Sequence, residues 1–104
     1  MNHSWYYQKG IYNPPTIELF PNLIKKEIKI TSHIHDEIGK IIGKDGKNFI
    51  NLTKKYELLY IFYIENRIEL YGVDEFNLYG AIHEIIRKIK YMNYLYRKKT
   101  IDSN

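Results

Sequence analysis

Hydrophobic and polar residues follow two different periods along this chain, and the change between them marks the predicted elements. Between Glu27 and Ile34, isoleucines alternate with mostly polar residues, which is the two-residue period of a half-buried strand. From Asp74 onward, apolar residues recur every three or four positions, as in an amphipathic helix: Leu78, Ala81, Ile82, Ile85, Ile89 and Met92. The chain therefore combines strands with helices.

Shorter segments between these two regions complete the order of elements. The remaining predicted elements are helices over 37–42 and about 47–56 and strands over 58–64 and 67–71. Asp36 is placed to cap the first helix, Asp74 to cap the last, and Glu65-Asn66 forms a tight turn between the two strands. The pattern predicts an α+β fold of order β-α-α-β-β-α, with a three-stranded antiparallel sheet and three helices on one face.

The first 26 residues differ from the rest of the chain. Pro14, Pro15 and Pro21 interrupt apolar and aromatic segments, so long regular structure is not expected there. The segment is too apolar for a solvated tail, and we interpret residues 1–26 as an arm that packs on the domain or on a partner. The predicted domain covers residues 27–96, and residues 97–104 form a basic, polar C-terminal tail.

Composition narrows the function classes. The net charge of +4 and the pI near 9.2 favour a polyanionic partner, and 11 of the 104 residues are Tyr. The absence of Cys excludes disulfides and is compatible with an intracellular location, cytoplasmic or nuclear. No apolar run approaches the roughly 20 residues of a membrane span.

No group of residues in the sequence has the arrangement of a catalytic, metal or cofactor site. His33 and His35 are two residues apart on the predicted first strand, and we interpret them as an exposed pair and not as metal ligands. The serines have no general base or orienting acid nearby in the pattern. We therefore predict a non-enzymatic protein without cofactor or metal.

The segment Gly43-Lys44-Asp45-Gly46 joins the two predicted short helices. Glycine in such a place lets the backbone turn sharply and lets another molecule approach its amides. The following helix points its free N–H groups and the positive end of its dipole at this loop, which favours a phosphate. Lys40, Lys44 and Lys47 add positive charge, and Asp45 opposes it. The alternative interpretation is a purely structural helix-loop-helix turn.

The surrounding residues favour the functional interpretation. The run Ile38–Leu52, the strand Arg67–Gly72 and the helix segment Ala81–Ile86 follow one another in the order of the KH domain signature. Over about residues 27–92 the chain resembles a KH domain of the eukaryotic type, type I. The resemblance implies a narrow groove that binds about four unpaired nucleotides, with the G-x-x-G loop clamping the sugar-phosphate backbone.

The resemblance also implies which residues line this groove. Gly39 lets a base lie close to the helix, the strand around Tyr60 and Phe62 forms the second wall, and Arg67 reaches a base edge or a phosphate. The resulting candidate RNA-binding residues are Ile38, Gly39, Lys40, Ile42, Gly43, Lys44, Asp45, Gly46, Lys47, Tyr60, Phe62 and Arg67.

Two questions stay open at the level of sequence. If Tyr60 and Phe62 face the helices, then Leu59, Ile61 and Tyr63 form an apolar outer sheet face that needs cover from the arm, which we favour, or from a second copy in a homodimer. The expected partner is single-stranded RNA. The alternatives are single-stranded DNA, and a protein-interaction or dimerisation module with weak or no nucleic-acid binding.

Overall fold

A computed structural model of the chain describes residues 11–102. The first ten residues of the predicted arm and the last two of the predicted tail lie outside the described residues. The elements, in chain order, are β1 (Ile24–Lys29), α1 (Ser32–His35), α2 (Gly39–Ile42), a 3-10 turn (Lys44–Gly46), α3 (Lys47–Lys55), β2 (Tyr60–Ile64), β3 (Arg67–Gly72) and α4 (Glu75–Asp102).

The three strands form one antiparallel sheet in the order β1-β3-β2, so the predicted α+β class and antiparallel sheet are confirmed. In the register, Ile68 of β3 pairs with Ile28 of β1 and with Tyr63 of β2. Because β3 is the central strand, both of its neighbours satisfy its backbone hydrogen bonds, and its residues from Ile68 to Gly72 are all buried.

The main hydrophobic core lies between one face of the sheet and the helices. Ile61, Ile68 and Leu70 contribute the sheet side of this core, and they are fully buried. The helix side consists of Ile34, Ile41, Phe49, Leu52, Leu78, Ala81, Ile85 and Met92. The predicted stripe of the last helix is confirmed, since Leu78, Ala81, Ile85 and Met92 are buried and the other two members, Ile82 and Ile89, are partly buried against the same core.

The arm covers the opposite, outer face of the sheet. Phe20 and Leu23 pack against a second cluster of Leu59, Tyr60 and Tyr71. The ring of Tyr12 lies 5.4 Å from that of Phe62 and 6.3 Å from that of Tyr60, measured between centroids. The described part of the arm therefore covers the outer face of the sheet. That face differs from the one predicted, because Ile61 and Tyr63 pack in the main core on the helix side and only Leu59 of the three predicted residues lies in the outer cluster.

Local signals in the sequence located several boundaries well. The carboxylate of Asp74 accepts a hydrogen bond from the backbone N–H of Asn77 at 3.0 Å, so it caps α4 as predicted. Glu65 and Asn66 have φ values of 50° and 61°, which gives the two-residue turn between β2 and β3. The helix predicted over 47–56 is observed as α3, Lys47–Lys55.

The region around the two histidines was predicted wrongly. β1 begins at Ile24, inside the segment predicted as arm, and ends at Lys29. His33 and His35 belong to the short helix α1 and not to a strand. The predicted cap by Asp36 is also wrong, because α2 begins at Gly39 without a side-chain cap. The alternation of apolar and polar residues over 27–34 was too short to distinguish a strand from a strand followed by one helical turn.

Candidate nucleic-acid interface

The glycine loop forms a tight turn between α2 and α3. Gly43 ends α2 with φ 81° and ψ 162°, and Gly46 begins α3 in the left-handed region with φ 75°. The N–H of Gly46 donates to the carbonyl of Gly43 at 3.0 Å. A Cβ atom at Gly43 would lie 2.7 Å from Cγ of Asn48, so the turn requires glycine at position 43, while the left-handed φ of Gly46 favours glycine there.

Asn48 closes the turn from inside α3. Its side-chain amide donates to the carbonyl of Lys40 at 3.4 Å, and this links the first turn of α3 to α2 across the loop. Asn48 is not among the candidate residues predicted from the sequence. A polar amide two residues after the second glycine, at a position where α3 approaches α2, is the signal that would have indicated it.

Asp45 has a conformational role in the loop. Its φ of 57° lies in the left-handed region, which Asp adopts more readily than most residues. The side chain is exposed. The backbone of this turn therefore accounts for an acidic residue at a position that is otherwise surrounded by lysines.

Two lysines give the loop its charge. Lys44 and Lys47 are exposed, and no carboxylate within the described residues forms an ion pair with either of them. Lys40 differs, because its ammonium group lies 3.4 Å from the carboxylate of Glu37. The loop therefore carries two ammonium groups whose charge is not neutralised by the described part of the chain.

Gly39 lies on the open surface beside the loop. A Cβ atom built there would meet no other atom within 4 Å, so packing within the described chain does not exclude a side chain at this position. Ile38 and Ile42 are half-buried and pack against the core. The three residues form an apolar ledge with open space above the glycine.

The structure does not bring Tyr60, Phe62 and Arg67 to this ledge. Tyr60 is fully buried on the outer face, where its hydroxyl accepts from the N–H of Asn13 at 2.8 Å and donates to the carbonyl of Ile11 at 3.2 Å. Phe62 packs with it. The predicted placement of Tyr60 and Phe62 on the helix side is therefore wrong.

Arg67 is part of a charge network on the same outer face. Its guanidinium lies 2.8 Å from carboxylate oxygens of both Glu65 and Glu69 and 3.5 Å from Glu27. These hydrogen bonds raise the pKa of Arg67 further above its already high value. The side chain is held by the protein's own carboxylates, on the face of the sheet opposite the loop.

Glu69 is the centre of this network. Its side chain is fully buried, and burial alone would raise the pKa of its carboxyl. Hydrogen bonds from Tyr12, Arg67 and Tyr71, with the charge of Lys25 at 3.4 Å, together lower that pKa. Burial and the bond to Glu69 in turn raise the pKa of the Tyr12 hydroxyl.

The aromatic residue of β2 that lies on the helix side is Tyr63. Tyr60 and Phe62 had been predicted at this place. The ring of Tyr63 packs against the main core and lies 5.7 Å from the ring of His35 in α1. Its hydroxyl hydrogen-bonds with Nδ1 of His35 and donates to Asn66 at 3.2 Å. The parity of the strand indicates this placement, since Tyr63 alternates with the buried Ile61.

A cleft separates α2 from the second half of α4. Two neighbouring cavities of about 500 and 530 Å³ are both lined by Glu37, Lys40, Met92 and Leu95. His33 stacks on Tyr96 at one end of this cleft, with a centroid distance of 4.4 Å. Among residues 11–102, no group of three or more His, Cys, Asp or Glu is placed to hold a metal ion.

Comparison of the chain with models of protein families, with curated proteins and with solved structures gave no match. Within the described residues, no helix is both long enough and apolar enough to cross a membrane. The interpretation of the site therefore rests on the residues and on their geometry.

Proposed function

We propose that the chain is a KH-type module that binds single-stranded RNA without catalysing a reaction, and that the loop over 43–46 clamps the sugar-phosphate backbone. One observation carries the proposal. The backbone of the loop forms a defined turn, its two middle residues are exposed, and neither Lys44 nor Lys47 forms an ion pair with a carboxylate of the described chain.

The N-terminus of α3 supplies the second attraction for a phosphate. The first N–H groups of a helix have no acceptor within the helix, and the helix dipole places partial positive charge there. α3 begins directly after Gly46, at the same turn as the two lysines. The N–H groups of Gly46 and Lys47 already donate to the carbonyls of Gly43 and Lys44, so the attraction for a phosphate at this point comes from the helix dipole and the two nearby cations. No part of that interaction depends on the base.

The ledge beside the loop suits a base. Gly39 leaves open space at the start of α2, and the half-buried Ile38 and Ile42 provide apolar surface next to it. A flat base laid over Gly39 would bury apolar area against these isoleucines. The site holds about four nucleotides on this reading, as the family resemblance implies.

The proposed site contains fewer residues than the candidate RNA-binding residues predicted from the sequence. Tyr60, Phe62 and Arg67 serve the outer face, so the wall contributed by β2 is the neighbourhood of Tyr63. The order of the elements, strand, short helices, loop, helix, two strands and a long helix, supports the resemblance to the type I KH fold. The extra turn α1 lies between the first strand and the helix before the loop.

A protein-interaction or dimerisation module is the second candidate. The sequence suggested this function because an apolar outer sheet face was expected to need cover. In the structure, the arm packs on the outer face through Tyr12, Phe20 and Leu23. The observation that favours this candidate is the run of exposed aromatic residues near the end of α4. We prefer RNA because the loop has unneutralised positive charge.

Binding of fluorescent oligonucleotides at several salt concentrations tests the proposal. We expect RNA homopolymers of about four to eight nucleotides to bind, with a slope of log affinity against log salt of about −1.4, since each neutralised phosphate of a single strand contributes about −0.7. The same series in DNA measures the contribution of the 2′-hydroxyl. Absence of binding together with a stable oligomer in solution would favour the interaction module.

A further inference from the structure

The solvent face of the second half of α4 carries four residues in one line. Arg87, Tyr91, Tyr94 and Lys98 follow at intervals of four, three and four positions, which places them on the same side of a helix. This side is roughly opposite the buried Ile85. All four residues are exposed, and the line is about 16 Å long at 1.5 Å per residue. We refer to these four residues as the basic-aromatic stripe.

The two tyrosines of the basic-aromatic stripe present their rings to solvent side by side. Tyr91 is 62% exposed and Tyr94 is 55% exposed. Their ring centroids are 6.4 Å apart, with an angle of 27° between the planes. Nearly parallel, accessible rings of this kind provide flat surfaces on which the bases of a single strand stack, whatever their sequence.

Positive charge surrounds these rings. No acidic residue occurs between positions 87 and 101, whereas Lys88, Lys90 and Arg97 add to the two basic members of the stripe. A second copy of the chain would bring the same positive charges against this surface, and they would repel each other. A negatively charged polymer that carries flat bases matches both the charge and the rings.

A cleft connects the stripe to the loop region. Lys40, which lies one turn before the loop, and Ile41 line a cavity of about 530 Å³ together with Arg87 and Tyr91. A strand that leaves the loop region therefore reaches α4 across this cleft. Glu37 also lines this cavity and is paired with Lys40, but Arg87 and Lys88 leave its lining with a net positive charge, which favours a negatively charged strand between the loop region and the stripe.

We infer that the basic-aromatic stripe is a second contact site for single-stranded nucleic acid, where bases stack on Tyr91 and Tyr94 while Arg87 and Lys98 contact phosphates. This inference rests on the proposed function. The stripe extends the contact beyond the nucleotides held at the loop, so it strengthens binding only to strands long enough to reach both sites.

Two lengths of labelled RNA separate the sites. For the full chain carrying Tyr91→Ala and Tyr94→Ala, we expect unchanged affinity for an oligonucleotide of about four nucleotides. Affinity for one of about twelve nucleotides should fall about tenfold or more, the loss expected when stacking is removed. Phe76→Ala is the matched control, because Phe76 is 86% exposed on the same side of α4 but lies beside Asp74 and Glu75.

Each outcome bears on one of the two proposals. Equal affinity of the double variant and the parent for the longer RNA overturns the stripe, as does loss of a parental dimer in the double variant without any change in RNA binding. If Lys44→Asp leaves both lengths unaffected while the double variant weakens the longer one, the loop is not the clamp and the stripe stands. Failure of the parent to bind either length overturns both.

Discussion

The outer face of the sheet and the glycine loop both carry positive side chains, but they differ in whether carboxylates of the described chain pair with those side chains. On the outer face, Arg67 is held by carboxylates at 2.8 Å, and the buried Glu69 accepts from Tyr12 and Tyr71 as well. At the loop, Lys44 is exposed, and no carboxylate of the described chain forms an ion pair with it.

This difference separates structural charge from functional charge. A buried charge is tolerated only when it is paired and hydrogen-bonded, so the outer-face network must be complete for the arm to pack. An exposed ammonium group beside a tight turn stabilises the fold little, and it stays available to an anion from outside. Substitutions at the two places are therefore expected to affect different measurements.

The largest expected effect is at the loop. Lys44→Asp should abolish RNA binding, because it replaces an attraction for phosphate by a repulsion at the proposed clamp. Unfolding by urea should change little, since the side chain is exposed. Fluorescence anisotropy with poly-pyrimidine RNA measures the first effect, and circular dichroism during urea titration measures the second.

Lys54→Asp is the matched control for this change. Lys54 is also exposed and lies in the last turn of α3, whereas the loop is at the first turn. The same change of charge there should leave most of the binding intact. If Lys44→Asp binds as tightly as the parent, or if both variants lose binding equally, the loop is not the clamp.

The second largest effect is expected on the outer face, in stability. Glu69→Ala leaves Arg67 and two tyrosine hydroxyls without their shared acceptor, so we expect the free energy of unfolding to fall by roughly 3 kcal/mol. The urea midpoint measures this loss. RNA affinity of the remaining folded protein should equal that of the parent, and a large loss of affinity would show that the two faces are not independent.

The sequence predicted those parts of the fold that depend on local chemistry. Asp74 at a helix start and the Glu65-Asn66 turn were located because each satisfies a backbone requirement within a few residues. The two glycines at 43 and 46 likewise identified the loop, and the structure gives both a positive φ. For such features, the residue type and the backbone conformation are directly linked.

The hydrophobic pattern of the sequence could not predict which face of the sheet each residue of β2 lies on. The run Tyr60–Ile64 is apolar or aromatic at every position, since the helices cover one face and the arm covers the other. Apolar and polar residues therefore do not alternate along β2, so the pattern could not distinguish its two faces. As a result, Tyr60 and Phe62 were assigned to the wrong side. The pairing of Arg67 was similarly hidden, because two of its partners, Glu65 and Glu69, come from a turn and a buried strand position.

A third prediction tests the ledge. Gly39→Leu should weaken RNA binding about tenfold, because the side chain would occupy the space proposed for a base. Stability should stay the same or rise by up to about 1 kcal/mol, since leucine favours helix more than glycine does. Gly39→Ala is the smaller control. Unchanged binding by the leucine variant would mean that no base lies over this residue.

A fourth prediction concerns the attachment of the arm. Tyr12→Phe removes the hydroxyl that donates to Glu69, so stability should fall by about 1 kcal/mol and amide exchange over 11–23 should accelerate. Tyr56→Phe is the matched control, because Tyr56 also donates to a carboxylate, but that of Glu84 is 28% exposed whereas that of Glu69 is buried. Equal destabilisation by both variants would contradict a special role for the outer-face network.

The smallest expected effect is the dependence of stability on pH. The pKa of Glu69 is lower in the folded chain than in the unfolded chain, so its contribution is complete above the unfolded value, near 4, and is lost as the pH falls through the folded value. Other carboxylates titrate in the same range.

Comparison with Glu69→Gln isolates this residue, since glutamine does not titrate. Between pH 7 and about pH 3 the urea midpoint of the parent should fall further than that of the variant. Parallel curves would show that the pKa of Glu69 is the same in the folded and unfolded states, and that the network holds the arm without preferring the ionised carboxylate.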